Sequence, residues 1–239
     1  GVNAGNSIVS GGNYNTVVGD EAGTAITTGD HNTGVGYGAG KAVTTGIKNT
    51  FVGSLTGDAN TTGDNNTAIG QGALSANTTA SNNTAVGLNA LVANTTGTRN
   101  TAVGALSLDA NTSGNYNTAN GYNTLGANTT GAYNSGFGDS ALVSNTTGVR
   151  NSAVGHAALL NNTTGNYNVA IGMQVLSAST TADNNTAVGY DSLNANTTGA
   201  NNTAVGKSAL VVNTTGESSV AIGESALLSN TTGNYNVAV

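Results

Sequence analysis

Short apolar stretches alternate with polar ones along the whole chain, and this alternation returns every 17 residues. Glycine marks the period, because Gly19, Gly36 and the further glycines up to Gly223 follow one another at this spacing without an insertion. With this glycine counted as position 0, the consensus of one period is G-x-x-A-L-x-A-N-T-T-G-x-x-N-T-A-V. The chain holds 14 such periods from Val2 to Val239, which indicates a tandem-repeat architecture.

Each period predicts short strands separated by turns. The segments between glycines are four to six residues long, alternate small and apolar residues, and end in turn-forming residues. A helix is excluded, because two glycines, a Thr-Thr pair and one or two asparagines per period disfavour helix interiors. We therefore predict an all-β parallel β-solenoid or β-roll of 14 rungs, with both glycines at corners that need positive φ. The absence of proline agrees with backbone N–H groups that all donate to neighbouring rungs.

Stacked rungs place equivalent residues in columns, and two apolar columns are predicted to line the core. The first is the leucine column at position 4, from Leu74 to Leu227. The second is the last position of each period, position 16, where Asn120 is the one polar residue. The residues at position 16 are Val18, Val35, Val52, Ile69, Val86, Val103, Asn120, Phe137, Val154, Ile171, Val188, Val205, Ile222 and Val239.

Asn120 is accordingly predicted as a possible core polar site. The next rung has Gly136 and Phe137 where the consensus has Ala and Val, which suggests a large ring that covers a tolerated flaw. The alternative is an ion or ligand site, since a buried amide needs partners.

A column of asparagines at position 13 is predicted to form a structural ladder of hydrogen bonds from rung to rung. The alternative is that these asparagines only form turns. Ser219 is the one interruption of this column. Its asparagines are Asn15, Asn32, Asn49, Asn66, Asn83, Asn100, Asn117, Asn134, Asn151, Asn168, Asn185, Asn202 and Asn236.

The early rungs exchange one apolar residue for another. Gly23 stands where later rungs have leucine, and Ile26 stands where they have asparagine; the next rung repeats the exchange. We interpret this as compensation within the core. The rung of Gly57 has neither large residue, so Leu55 or Phe51 is expected to fill the space.

Composition narrows the function. The chain has five basic and eleven acidic residues, a net charge of −6, no cysteine and 37% hydrophobic residues. The scattered basic residues form no stripe for nucleic acid, and no apolar stretch is long enough for a membrane span. Low charge and many small apolar residues disfavour disorder.

Candidate chemistry is sparse, and we predict no enzyme, no cofactor and no metal site. The glycine-rich stretch Gly34 to Lys41 lacks the first glycine and the final Ser or Thr of a phosphate-binding loop. His31 and His156 occupy different positions of the period, so they share no column. The carboxylates are scattered over variable positions.

The stretch SVAIGESA, Ser219 to Ala226, resembles the head repeat of trimeric autotransporter adhesins of the Yersinia-adhesin type. The resemblance extends weakly to the other rungs through NTAVG and NVAIG, although the adhesin repeat is shorter than 17 residues. It implies a left-handed parallel β-roll whose chains pack side by side as a trimer. The longer repeat is also similar to those of bacterial and phage tail-fibre-like proteins.

These features lead to the expectation of a structural shaft in an extracellular, cell-surface or virion fibre. We expect residues 1–239 to be a single continuous array from a longer fibre, assembled as a homotrimer whose chains meet at small-residue faces such as the alanine column. End-to-end filaments and a host or cell-surface ligand are further expected partners.

Two other functions use outward columns. Tyrosines at position 12, with neighbouring asparagines, could bind glycans or a surface, and the stacked threonines of the Thr-Thr pair could bind ice. The tyrosines are Tyr14, Tyr116, Tyr133, Tyr167 and Tyr235.

Overall fold

The computed structural model describes residues 1–9 and 11–239. Over these ranges the chain is all-β, with fourteen short strands and no helix. The strands are β1 (Thr16–Val18), β2 (Thr33–Val35), β3 (Thr50–Val52), β4 (Thr67–Ile69), β5 (Thr84–Val86), β6 (Thr101–Val103), β7 (Thr118–Asn120), β8 (Ser135–Phe137), β9 (Ser152–Val154), β10 (Val169–Ile171), β11 (Thr186–Val188), β12 (Thr203–Val205), β13 (Val220–Ile222) and β14 (Val237–Ala238).

The chain comprises two compact units, Gly1–Asn117 with β1 to β6 and Thr118–Val239 with β7 to β14. Within each unit, strands that follow one another in sequence pair in parallel, with partners 17 residues apart, as in β5 with β6 and β11 with β12. Each unit is therefore a parallel β-solenoid, and the predicted fold class is confirmed. The single continuous array over residues 1–239 stays a prediction.

The first glycine of each period forms the predicted corner. Gly87, for example, has φ 137°, and a Cβ added there would lie 2.5 Å from the carbonyl oxygen of Gly104. The second glycine was expected to need positive φ as well, and that prediction is wrong. Gly165 is not in the left-handed region. A Cβ there would lie 2.4 Å from the carbonyl oxygen of Ala182 and 2.4 Å from Oδ1 of Asn162, so the close approach of these atoms favours glycine here.

The leucine column lies in the core, as predicted. Leu74 and Leu176 are fully buried, although both have left-handed φ values of 56° and 50°. A left-handed conformation costs an ordinary residue roughly 1–2 kcal/mol, so the burial of the side chain must offset this cost. Gly57 adopts the same conformation with φ 55°, which explains why glycine can replace leucine here.

The valine column at position 16 does not line the core, and the sequence-based prediction is wrong here. In the three-residue strands β2 to β13 the central residue is buried, whereas the flanking residues point outward, as β9 illustrates with buried Ala153 between half-buried Ser152 and exposed Val154. Successive side chains of a strand alternate between faces. The inward place belongs to alanine at position 15, so the alanine column is not an outer face that another chain could approach.

The compensation in the early rungs is confirmed. Ile26 is 1% exposed and Phe51 is 1% exposed. A Cβ added to Gly57 would lie 2.3 Å from Cε1 of Phe51, so Phe51 occupies the space that leucine fills in later rungs. Leu55 is 39% exposed and does not contribute this filling.

Candidate functional site

The asparagines at position 13 form a first ladder, in which each side-chain amide replaces a peptide group between two rungs. Asn49 shows the pattern: its Oδ1 accepts from the backbone N–H of Asn66 at 2.9 Å. Its Nδ2 donates to the carbonyl oxygen of Gly63 at 2.8 Å. The first ladder thus satisfies one buried N–H and one buried C=O of the following rung with one side chain.

All the predicted ladder residues stand at position 13, in one row in each unit. In the unit Gly1–Asn117 the row comprises Asn15, Asn32, Asn49, Asn66, Asn83, Asn100 and Asn117, of which Asn15 is half-buried and the others are buried. In the unit Thr118–Val239 it comprises Asn134, Asn151, Asn168, Asn185, Asn202, Ser219 and Asn236.

A second ladder, at position 7, was missed by sequence reasoning, which counted these asparagines only among the residues that disfavour a helix. Here the amides pair with one another: Nδ2 of Asn77 donates to Oδ1 of Asn60 at 2.7 Å, and Nδ2 of Asn94 donates to Oδ1 of Asn77 at 3.2 Å. Ile26 at the same position was the available signal, since an apolar residue there indicates burial. The second ladder comprises Asn60, Asn77, Asn94 and Asn111 in one unit and Asn128, Asn145, Asn162, Ser179, Asn196, Asn213 and Asn230 in the other.

The glycine at position 10 joins the two ladders. The carbonyl oxygen of Gly216 accepts from Nδ2 of Asn202 at 2.8 Å and from Nδ2 of Asn213 at 3.0 Å. A Cβ on Gly216 would lie 2.3 Å from Oδ1 of Asn213. The interior is therefore a hydrogen-bonded polar network beside an apolar Leu and Ala layer.

The second ladder is interrupted at Ser179. Oδ1 of Asn162 and Oγ of Ser179 are buried and have no hydrogen-bond partner among the residues that the structure describes. Asn196, on the other side of the gap, donates to the carbonyl oxygen of Gly199 at 2.9 Å. The serine side chain is too short to continue a chain of amide-to-amide hydrogen bonds.

The outward strand face consists of positions 14 and 16, and it is the candidate interaction surface. Its column at position 16 is apolar except at Asn120 and is substantially exposed in each unit, with Ile69 at 41% in Gly1–Asn117 and Val154 at 42%, Ile171 at 43% and Ile222 at 42% in Thr118–Val239. Threonine, serine or valine occupies position 14 in every period, so neither column carries a charged residue. Branched apolar side chains exposed on strand after strand are typical of a covered surface.

Asn120 belongs to this outward strand face and is not a core residue. It is the exposed last residue of β7 and lies beside Phe137 of β8, which is 41% exposed. Gly136 makes room for Thr124 and not for Asn120. A Cβ at Gly136 would lie 2.6 Å from Cγ2 of Thr124, which is fully buried. The predicted core site at Asn120 is therefore wrong, for the same reason of strand alternation.

The aromatic residues at position 12 stack along the solenoid. The rings of Tyr14 and His31 lie 4.8 Å apart with an interplanar angle of 11°. In the other unit, the Arg150 guanidinium lies 5.4 Å from the ring centroids of both Tyr133 and Tyr167. These contacts cover part of the ring faces of Tyr14, Tyr133 and Tyr167, whereas Tyr235 is 80% exposed.

The two threonine columns differ. At position 8 the threonine hydroxyl forms a hydrogen bond to the next rung, since Oγ1 of Thr146 donates to the carbonyl oxygen of Thr163 at 3.0 Å. At position 9 the threonines are exposed, as Thr147 and Thr164 are in consecutive rungs. One column of the pair therefore offers free surface.

Two lysines lie in ion pairs at the surface. A hydrogen bond to Glu21 raises the pKa of Lys41, and Lys207 lies 3.0 Å from Glu224. Burial raises the pKa of the Asp58 and Asp109 carboxyls. Over residues 1–9 and 11–239, no group of three or more His, Asp or Glu side chains could hold a metal ion. The same ranges contain no helix that is long and apolar enough to cross a membrane.

Comparison of the chain with models of known protein families and with curated proteins finds no match.

Proposed function

We propose that this protein is the structural shaft of an extracellular or virion-surface fibre, in which three copies pack side by side through the outward strand face. The observation that carries the proposal is the exposed apolar column at position 16 on an uncharged face. In the unit Thr118–Val239, the apolar side chains of Phe137, Val154, Ile171, Val205 and Ile222 in this column are each between 36% and 43% exposed.

The resemblance to the heads of Yersinia-type adhesins supports three parallel copies and a left-handed β-roll. The internal hydrogen bonds also suit a passive spacer, because they join each rung to its neighbours, on which the stability of a repeat depends. On this proposal the charged positions remain in solvent, and an adhesive tip or a partner domain would make the specific contact.

Light scattering of the chain at micromolar concentration tests the assembly, and we expect the mass of three chains. Val205→Asp should dissociate the trimer, because it places a charge on the outward strand face, where Val205 is 36% exposed. Val212→Asp is the matched control, since Val212 is 39% exposed at position 6, away from that face. A monomeric parent chain, or equal effects of the two variants, would contradict the proposal.

The exposed threonine column at position 9 is the one observation that favours ice binding as a second function. A thermal hysteresis measurement decides it directly. Hysteresis that disappears when Thr147 and Thr164 are replaced by lysine would replace the shaft proposal by this one.

A further inference from the structure

An interface made of identical repeats leaves the register of neighbouring copies along the solenoid undefined. The role inferred below for Asn120 rests on the trimer proposed above. Position 16 is valine or isoleucine in most rungs, and position 14 is threonine in most. A copy displaced by one rung, about 4.8 Å, would meet nearly the same apolar contacts. The repeat therefore needs a distinct residue if all copies are to align.

Asn120 is the one polar residue of the exposed column. Its side chain is exposed in the single chain, and its side-chain amide makes no hydrogen bond within the described ranges of the chain. The residue that follows it in the column, Phe137, is also unlike the consensus and is 41% exposed. These two adjacent rungs are thus the distinctive level of the outward strand face.

We propose that Asn120 sets the register of the copies. In a parallel symmetric trimer, equivalent residues lie at the same level, so the three Asn120 amides can donate to and accept from one another. A displacement of one rung would place the amide against the Phe137 ring of another copy and leave it without partners. A single polar residue in an apolar seam fixes register in coiled coils by the same physics.

Register can be measured by cross-linking, because the chain has no cysteine of its own. Two differently tagged chains are co-expressed, one with Val188→Cys and one with Val205→Cys, which lie at position 16 of adjacent rungs. In aligned copies, oxidation links like positions, 188 to 188 and 205 to 205. A link between 188 and 205 reports a displacement of one rung.

With Asn120 present, we expect links between like positions to dominate. In the Asn120→Val background the 188-to-205 link should rise severalfold, while light scattering still gives the mass of a trimer. The double variant Asn120→Val, Val154→Asn, which moves the polar residue to another exposed place in the column, should return the links to like positions.

The outcomes separate the two proposals. A trimeric parent whose links do not change with Asn120→Val would overturn the register role and leave the trimer intact. Frequent 188-to-205 links in the parent would overturn it as well. A monomeric parent would overturn both.

Discussion

Two serines replace asparagine in the two ladders of the unit Thr118–Val239, with opposite results. Ser219 continues the hydrogen bonds of the first ladder. Its N–H donates to Oδ1 of Asn202 at 3.0 Å, and its Oγ accepts from the N–H of Asn236 at 3.1 Å. Ser179 breaks the second ladder and leaves its own Oγ and Oδ1 of Asn162 buried without partners among the described residues.

The difference lies in what each ladder bonds to. The first ladder joins a side chain to the backbone of the next rung, so a shorter side chain still presents one oxygen to a nearby N–H. The second ladder joins one side chain to another, and shortening one member opens a gap that its neighbours cannot close. The same substitution is tolerated where the backbone is the partner and costly where another side chain is.

The largest effect is expected from Asn168→Ala in the first ladder. It removes the partners of the Ala182 carbonyl oxygen, now 2.7 Å from Nδ2, and of the Asn185 N–H, now 3.0 Å from Oδ1. Two buried backbone groups without partners should lower the free energy of unfolding by about 4 kcal/mol.

Guanidinium denaturation of this variant checks the value. Asn161→Ala is the control, because Asn161 is exposed and should change stability by less than about 0.5 kcal/mol. Similar losses in both variants would show that the first ladder does not stabilise the rungs.

A second break can be made on purpose with Asn213→Ser. This change removes the donor to Oδ1 of Asn196 at 2.9 Å, whereas the carbonyl of Gly216 keeps its bond from Asn202. Because only side-chain groups lose partners, we expect a loss of about 2 kcal/mol, measured by the same denaturation. A loss as large as that of Asn168→Ala would contradict the distinction between the ladders.

The natural break can be repaired with Ser179→Asn. The new amide would donate to Oδ1 of Asn162 and accept from Asn196, which should stabilise the unit by about 1–2 kcal/mol and raise the thermal midpoint. A lower midpoint would show that the methyl group of Ala182 excludes the new amide, since a Cβ at the equivalent Gly199 would lie 2.5 Å from Oδ1 of Asn196.

The smallest effect is expected from Ser219→Asn. Ser219 already satisfies the N–H of Asn236, so restoring the consensus adds only a bond to a half-buried glycine carbonyl. The thermal midpoint should correspond to a gain below about 0.5 kcal/mol. A gain equal to that of Ser179→Asn would mean that both serines interrupt their ladders equally.

The 17-residue period and the columns of equivalent residues could be predicted from the sequence, because both follow from spacing alone. Gly87 and its equivalents mark a corner that excludes any side chain, and the row from Asn15 to Asn236 stands at position 13 of every rung except that of Ser219. A compensating residue for Gly57 was also expected, since the total volume inside one rung must stay nearly constant, but the sequence left Leu55 and Phe51 as alternatives and the structure selects Phe51.

The direction in which each column points was decided only by the tertiary structure. Hydrophobicity ranks Val154 above Ala153 for the core, yet Ala153 is buried and Val154 is exposed. Because Leu159 and the asparagine ladders occupy the interior, the inward position 15 of the strand accommodates only the methyl group of alanine. The second ladder was not predicted for a related reason, since an asparagine is as suitable for a turn as for a buried network. Only the approach of a neighbouring rung makes it part of the core, as the 2.9 Å hydrogen bond from Nδ2 of Asn162 to Oδ1 of Asn145 shows.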